Sequence, residues 1–398
     1  MIKRALASVL KRVATQYPIV TLTGPRQSGK TTLVRAAFPK HEYASLEDPD
    51  LRRFALEDAR GFLGQFEGPV ILDEVQRAPE LFSYIQTIVD STGTAGRFIL
   101  SGSQNFLLMA SVSQSLAGRC AILHLLPFSM SELEGRNPIP LSKFGRDLPR
   151  EKTPPSRDLA DLLFDGFYPR IHDKKLDPIR WLAGYYSTYV ERDVRDITNV
   201  GDIETFGRFV RLCAGRNGQL LNLTSLANDC GVTHTTARRW LSILETSFLI
   251  YLLRPHHRNF GKRLIRSPKL YFLDTGLLCY LLQIRSPADL RHHGYRGSIF
   301  ESFVLSELLK NHYHQGKEPD LYFWRDSSGH EIDVVIHQGQ EMIAVEIKSA
   351  QTIASDFFDG LRYWRTLLGN PAAPAALVYG GDRTFKHEGM PVYAWSTL

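Results

Sequence analysis

Gly24-Pro25-Arg26-Gln27-Ser28-Gly29-Lys30-Thr31 sets two glycines, a lysine and a hydroxyl at the spacing GxxxxGK[ST], after the apolar run Ile19–Thr23 and before Leu33 and Val34 at helical spacing. Glycines at those two positions let successive backbone N–H groups curl around phosphate oxygens. Lys30 then brings positive charge to the β and γ phosphates, and Thr31 offers its hydroxyl to Mg²⁺ at a helix start. Gly24, Pro25, Arg26, Gln27, Ser28, Gly29, Lys30, Thr31 and Thr32 are therefore the candidate nucleotide-binding residues. A glycine-rich turn that binds nothing would have to fall between a strand and a helix by chance.

Downstream, Pro69-Val70-Ile71-Leu72-Asp73-Glu74 is an apolar strand ending in two acids. Two carboxylates at the end of such a strand are costly without a cation, and Mg²⁺ explains them. Asp73 is expected to hold the metal through water, and Glu74 to polarise an attacking water, so the chemistry expected is hydrolysis of ATP. A further apolar strand, Phe98–Ser101, leads into Gly102 and Ser103 and ends in hydroxyls.

A second set of acids lies far along the chain. Phe300–Leu308 reads as a helix carrying Glu301, Leu321–Arg325 and Glu331–Ile336 as a hairpin carrying Asp333, and Met342–Lys348 as a strand carrying Glu346 and Lys348. Residues two apart on a strand share a face, so Glu346 and Lys348 point the same way. Three carboxylates and a lysine converging on an apolar sheet are expected to form a Mg²⁺ site, with Asp333 and Glu346 as metal ligands and Lys348 positioning water or a phosphate.

Between them, Leu223–Cys230, a turn at Gly231 and a helix opened by Thr233 have the grammar of a helix-turn-helix. Thr235, Thr236, Arg238 and Arg239 fall near the exposed start of the second helix, while Ala237, Trp240, Leu241 and Leu244 can face a core. Phe248–Arg254 reads as a wing strand, with Arg258, Lys262 and Arg263 beyond it. Such a cluster neutralises phosphates, so duplex DNA is the expected partner. The other reading is a winged helix that docks onto protein. His256 and His257 lack a third ligand at metal-binding spacing.

The elements that must carry these residues follow from the wider pattern. At roughly 150 residues per domain, 398 residues leave room for two to three domains. A composition 23% charged and 43% hydrophobic excludes a disordered chain. The longest apolar runs, Phe248–Leu253 and Leu277–Leu282, are six residues each, whereas a bilayer-spanning helix needs about 20, so no membrane span is expected. Met1–Ala14 lacks the apolar core and cleavage site of a signal peptide. Four cysteines, Cys120, Cys213, Cys230 and Cys279, stand singly and suit a reducing, cytoplasmic setting. Charge is uneven: residues 205–269 hold eleven Lys or Arg against two Asp or Glu, while residues 295–398 hold nine against thirteen. The reading is an α/β protein: a P-loop ATPase domain with a parallel sheet over 1–135, a linker and helical segment over 136–204, a basic winged-helix-like module over 205–293, and a restriction-endonuclease-like α/β domain over 294–398.

The phosphate loop, Asp73-Glu74, the hydroxyl-rich strand end, Ser115-Leu116-Ala117-Gly118-Arg119 and Leu126-Pro127-Phe128-Ser129 together resemble the AAA-type ATPases of bacteria and archaea. The likeness continues through Gly166-Phe167-Tyr168-Pro169 and Tyr189-Val190-Glu191-Arg192-Asp193-Val194 into a C-terminal region of unknown function. It implies that Ser103 senses the γ-phosphate, with Ser101 and Asn105 as alternates. It also implies that an arginine completes a neighbouring subunit's site in a homo-oligomeric ring. Arg119 is the candidate by position, a sheet-capping arginine being the other reading, and Arg192 and Arg195 compete for the role. Glu301, Asp333 and Glu346-x-Lys348 resemble the PD-(D/E)xK nuclease pattern. The expected function is ATP hydrolysis coupled to remodelling or translocation of DNA, branched DNA included, with Mg²⁺-dependent cleavage as a further activity. The alternative is a nucleotide-gated switch or DNA-binding regulator whose nuclease-like domain is a non-catalytic scaffold.

Overall fold

The computed structural model describes residues 2–103, 116–149, 155–190, 203–256 and 267–398. It divides into two compact units. The first comprises residues 1–128, 246–248 and 312–317, and the second the remainder.

The first unit is built on a parallel sheet of five strands: β1 (Ile19–Thr23), β2 (Glu42–Ser45), β3 (Val70–Asp73), β4 (Phe98–Ser101) and β5 (Cys120–His124), in the order β2-β3-β4-β1-β5. Alternation along the strands sorts the side chains into two cores. Val20, Leu22, Ile71 and Ile99 pack with Leu6, Leu10, Leu33 and Val34 from the helices Ala7–Ala14 and Lys30–Ala37. Ile19, Val70, Leu72 and Leu100 pack on the opposite face with Phe62, Phe82 and Ile85. Both faces covered is the normal condition of a parallel sheet, and it explains why β1, β3 and β4 are buried throughout and mostly apolar. The edge strand β2, Glu-Tyr-Ala-Ser, escaped sequence reading because half of it faces solvent.

The second unit holds an eight-stranded mixed sheet: β6 (Ile250–Pro255), β7 (Lys269–Phe272), β8 (Leu321–Arg325), β9 (Glu331–Gln338), β10 (Glu341–Lys348), β11 (Ala375–Tyr379), β12 (Phe385–His387) and β13 (Met390–Ala394). The order is β12-β13-β11-β10-β9-β8-β6-β7. The expected hairpin is β8–β9, antiparallel with an irregularity between Tyr322 and Trp324, and β10 follows antiparallel to β9. One face is filled by Trp324, Ile332, Ala344, Leu377 and Val392 under Leu361 and Trp364 of the helix Asp359–Leu367.

Three helices, Ile203–Ala214, Leu223–Cys230 and His234–Thr246, precede β6. Trp240 meets Phe206 and Phe209 edge-on, locking the third helix to the first. Gly231 takes φ +73°, the left-handed turn that ends Leu223–Cys230 and that a Cβ would strain. The β6–β7 hairpin does not stand apart as a free wing: Arg254 and Pro255 pair with Tyr322 and Phe323 of β8, joining it to the C-terminal sheet. The Gly166-Phe167-Tyr168-Pro169 motif is structural. Buried Asp274 caps the helix Thr275–Leu281 and also accepts the Phe167 N–H at 2.8 Å. No helix among the described residues is long and apolar enough to cross a membrane.

Candidate functional site

The phosphate loop turns out of β1 and into the helix Lys30–Ala37. At Gly24 a Cβ would stand 2.1 Å from the Leu125 carbonyl oxygen, so only glycine lets the loop start this close to the chain beyond β5. Lys30 is 7% exposed and folds back on the loop, donating to the Gly24 and Pro25 carbonyls at 3.0 and 2.8 Å. Burial pushes its pKa down to about 8 against the pull of Glu74 and Asp73. The Ser28 hydroxyl is buried without a hydrogen-bond partner among the described residues, as expected of a donor meant for a ligand oxygen.

Asp73 sits at the end of β3, in register with Ser101 on β4 and Ser45 on β2. One carboxylate oxygen accepts from Thr31 at 2.7 Å and from the Tyr43 hydroxyl at 3.0 Å, and the other from Ser101 and the Glu74 N–H. Thr31 and Asp73, the pair read as metal-binding, are thus brought together. Neutral hydroxyls hold the carboxylate and can yield to a divalent cation, so this donor set fits Mg²⁺. Glu74 takes φ +53°, a left-handed conformation unusual for its type, and its carboxylate accepts from Gln76. Gln76 also donates to Ser103 at 3.1 Å, linking the expected base to the expected sensor.

Sequence reading missed three residues here. Gln76 lacks any motif. Tyr43 lies on the unrecognised strand β2, with the Arg35 guanidinium 4.7 Å from its ring centre. Arg4 donates to the Ser28 carbonyl at 2.7 Å and the Leu126 carbonyl at 2.6 Å and lies over Phe128. It ties the phosphate loop to the segment after β5.

Arg119 stands at the far end of the sheet, where its carbonyl accepts the Ile19 N–H at the start of β1. Its guanidinium grips both carboxylate oxygens of Asp90, one at 3.0 Å, and donates to the Ala117 carbonyl at 3.2 Å. Asn105, Ser115, Arg192 and Arg195 lie outside the described residues.

In the second unit, Glu301, Asp333, Glu346 and Lys348 lie near enough to bias one another's charge, with companions that were not expected. Lys348 binds Glu346 at 2.7 Å, and the remaining Glu346 oxygen is buried without a partner among the described residues. Asp333 accepts the Ile347 N–H at 2.9 Å, and Glu301 accepts the Tyr271 hydroxyl at 3.0 Å. Burial, then the nearby Asp333 charge, raises Glu301 to about 7 and Glu346 to about 8. Lys269, counted from the sequence among the basic residues of the middle, is instead 4% exposed. It pairs with Glu331 and lies 4.0 Å from an Asp333 oxygen. Arg325 holds the other Glu331 oxygen at 3.1 Å. Among the described residues, no three His, Cys, Asp or Glu side chains are gathered to hold a metal ion. An ammonium already stands against Asp333, so this donor set does not fit a divalent cation as arranged. An apolar strand that begins at Lys269 carries no signal that its lysine turns inward.

On the helix His234–Thr246, Thr235, Arg238 and Arg239 are exposed, whereas Thr236 is half-buried and its hydroxyl lies 2.9 Å from that of Thr233 at the helix start. Thr236 therefore serves the cap as well as the surface. Arg258, Lys262 and Arg263 lie outside the described residues, as does His257.

Residues 16–134 match a family described as an AAA domain, and this segment contains the phosphate loop, Asp73, Glu74, Ser103 and Arg119. Residues 156–288 and 296–398 match domains of unknown function, DUF8612 and DUF4143. The uncharacterized protein Rv2008c of Mycobacterium tuberculosis is 32% identical over 387 residues, covering 96% of this chain and 81% of its own. Mb2031c of Mycobacterium bovis matches to the same extent. Among solved structures, the Walker-type ATPase PABY2304 of Pyrococcus abyssi overlaps with a TM-score of 0.45 at 15% identity, covering 71% of this chain and 96% of that one.

Proposed function

This chain belongs to the family of the mycobacterial protein Rv2008c, and from that premise, with an AAA-type ATPase domain over residues 16–134, we propose that it hydrolyses ATP to act on DNA. The observation that carries the ATPase reading is the four-donor cradle around Asp73, with Thr31 on one side and Glu74 on the other. The loop N–H groups and the Ser28 hydroxyl receive phosphate oxygens, and the Lys30 ammonium leaves the loop carbonyls for the β and γ phosphates. Thr31 and Asp73 would hold Mg²⁺, which would supply charge neutralisation to the phosphates. Glu74 takes the proton of the attacking water as the bond from the γ-phosphorus to the ADP oxygen breaks, while Gln76 and Ser103 orient the water and the γ-phosphate.

The DNA part of the proposal rests on Thr235, Arg238 and Arg239 at the exposed start of a helix that follows a tight turn, in a segment rich in basic residues. Assembly into a ring, with Arg119 serving a neighbour, requires the Asp90 pair to open. Arg119→Ala then lowers ATPase activity, whereas Asp90→Ala preserves it, at concentrations where sedimentation shows an oligomer. The second reading, a nucleotide-gated switch with a non-catalytic C-terminal scaffold, is favoured by the lysine inside the acid cluster.

The deciding experiment measures phosphate release with and without duplex, single-stranded, forked and four-way DNA, for the native protein and Lys30→Ala. Stimulation by DNA that Lys30→Ala removes supports the DNA-directed ATPase. Slow hydrolysis indifferent to every DNA supports the switch.

A further inference from the structure

We propose that the ammonium of Lys269 is the resident cation of the C-terminal acid cluster and keeps divalent metal ions out of it. The proposal is independent of the nucleotide site, which uses other residues. Four carboxylates, Glu301, Glu331, Asp333 and Glu346, belong to this cluster. A fold of nuclease-like pattern would be expected to balance them with a metal ion. Here the balance comes from within the chain. Lys269, on β7, reaches Glu331 and lies 4.0 Å from Asp333. Lys348, on β10, reaches Glu346.

Each of the three carboxylates a metal would need already spends an oxygen on a neighbour. One Asp333 oxygen accepts the Ile347 N–H and the other faces Lys269. Glu346 is bound by Lys348 on one oxygen, and Glu301 by Tyr271. A divalent ion demands carboxylate oxygens at about 2.0–2.6 Å. At Asp333 it would stand within a few ångströms of a fixed ammonium, where like charges in a water-poor pocket repel strongly. Lys269 has no ready retreat. Its side chain is 6% exposed and its ammonium lies 5.6 Å from the Phe323 ring centre, so leaving Glu331, which Arg325 would still hold, means breaking a buried ammonium's ion pair. Among the described residues one buried Glu346 oxygen has no partner, and by itself it does not make a site.

The inference makes a gain-of-function prediction. Free Mn²⁺ is counted by electron paramagnetic resonance in titrations of the full-length protein without nucleotide, in an Asp73→Asn background that silences the phosphate-loop site. With Lys269 present, adding Asp333→Asn changes nothing, because no Mn²⁺ is bound at the cluster. Lys269→Met, or the hydrogen-bonding Lys269→Gln, gains one Mn²⁺ per chain at least tenfold tighter than any ion bound before. Asp333→Asn abolishes the gain. The proposal is overturned if the protein with Lys269 intact binds Mn²⁺ in a way Asp333→Asn removes. It is equally overturned if a Lys269 variant with native circular dichroism gains no ion. Should both Lys269 variants fail to fold, the comparison with and without Asp333→Asn still decides whether the cluster excludes metal.

Discussion

Asp73 and Asp333 are both carboxylates placed on apolar strands of well-packed sheets, and both read from the sequence as metal ligands. The difference lies in what satisfies them. Around Asp73 the partners are the hydroxyls of Thr31, Tyr43 and Ser101 and one backbone N–H, all neutral. Around Asp333 and its neighbour Glu331 a buried lysine supplies full positive charge. A carboxylate held by neutral donors keeps its charge available to an incoming cation. One matched by an ammonium has spent it, and a second cation meets repulsion. The two sites thus show that acids at similar positions on a strand specify opposite chemistry according to the charge of the group opposite.

The largest expected effect tests the hydrolytic side of this contrast. Glu74→Gln should lower ATP turnover about 10²- to 10⁴-fold while leaving nucleotide binding intact, measured by phosphate release beside fluorescent-nucleotide titration. Equal loss of binding would mean that Glu74 holds the loop rather than serving the reaction.

The next tests the C-terminal side. Lys269→Met takes the ammonium from Asp333 and leaves Glu331 with Arg325 alone, and should cost about 1–3 kcal/mol of stability, seen as a lowered denaturation midpoint. Millimolar Mn²⁺ should restore part of that loss in the variant and do nothing for the native cluster. A midpoint indifferent to Lys269 would erase the contrast.

A pH dependence follows from Lys30, whose folded pKa is about 8 against 10.5 for the free side chain. Below about 8 the amine is protonated in folded and unfolded chains alike. Between about 8 and 10.5 only the unfolded chain keeps the proton, so this group makes the nucleotide-free fold more stable as pH rises. Nucleotide binding runs the other way. A phosphate needs the cation, so affinity should fall by up to tenfold per pH unit above about 8, and Lys30→Ala should flatten the profile.

The smallest effect sharpens the picture of Asp73. Tyr43→Phe removes one of four donors, on a side chain that is itself exposed, and should shift the Mg²⁺ concentration for half-maximal ATPase activity by less than about tenfold, since a typical hydrogen bond nets about 0.5–1.5 kcal/mol. A shift of 100-fold or more would make Tyr43 part of the catalytic apparatus.

How much of this was legible in the sequence follows from locality. The phosphate loop could be read because its glycines, lysine and threonine act within eight consecutive residues, and the apolar strands β1, β3 and β4 because burial on both faces leaves a continuous apolar run. Glu346 and Lys348 could be paired because strand geometry repeats every two residues. Arg4, Tyr43 and Gln76 could not be found in the same way. Their partners depend on which segments the sheet order brings side by side, and no local spacing encodes that. Phe248–Arg254 was legible as a strand, but its pairing with β7 and with β8, about 70 residues onward, was not.

The sequence by itself determined which residues could bind phosphate, which strands would be buried and where the acids would lie along them, because these depend on side-chain type and on the short periods of strand and helix. Only the tertiary structure decided what stands opposite each acid. It brings hydroxyls from β2, β4 and the phosphate-loop helix to Asp73, and it carries Lys269 from the basic middle of the chain into the acidic C-terminal sheet. A buried charge takes its chemistry from its nearest counter-charge, and that neighbour is set by strand order and packing.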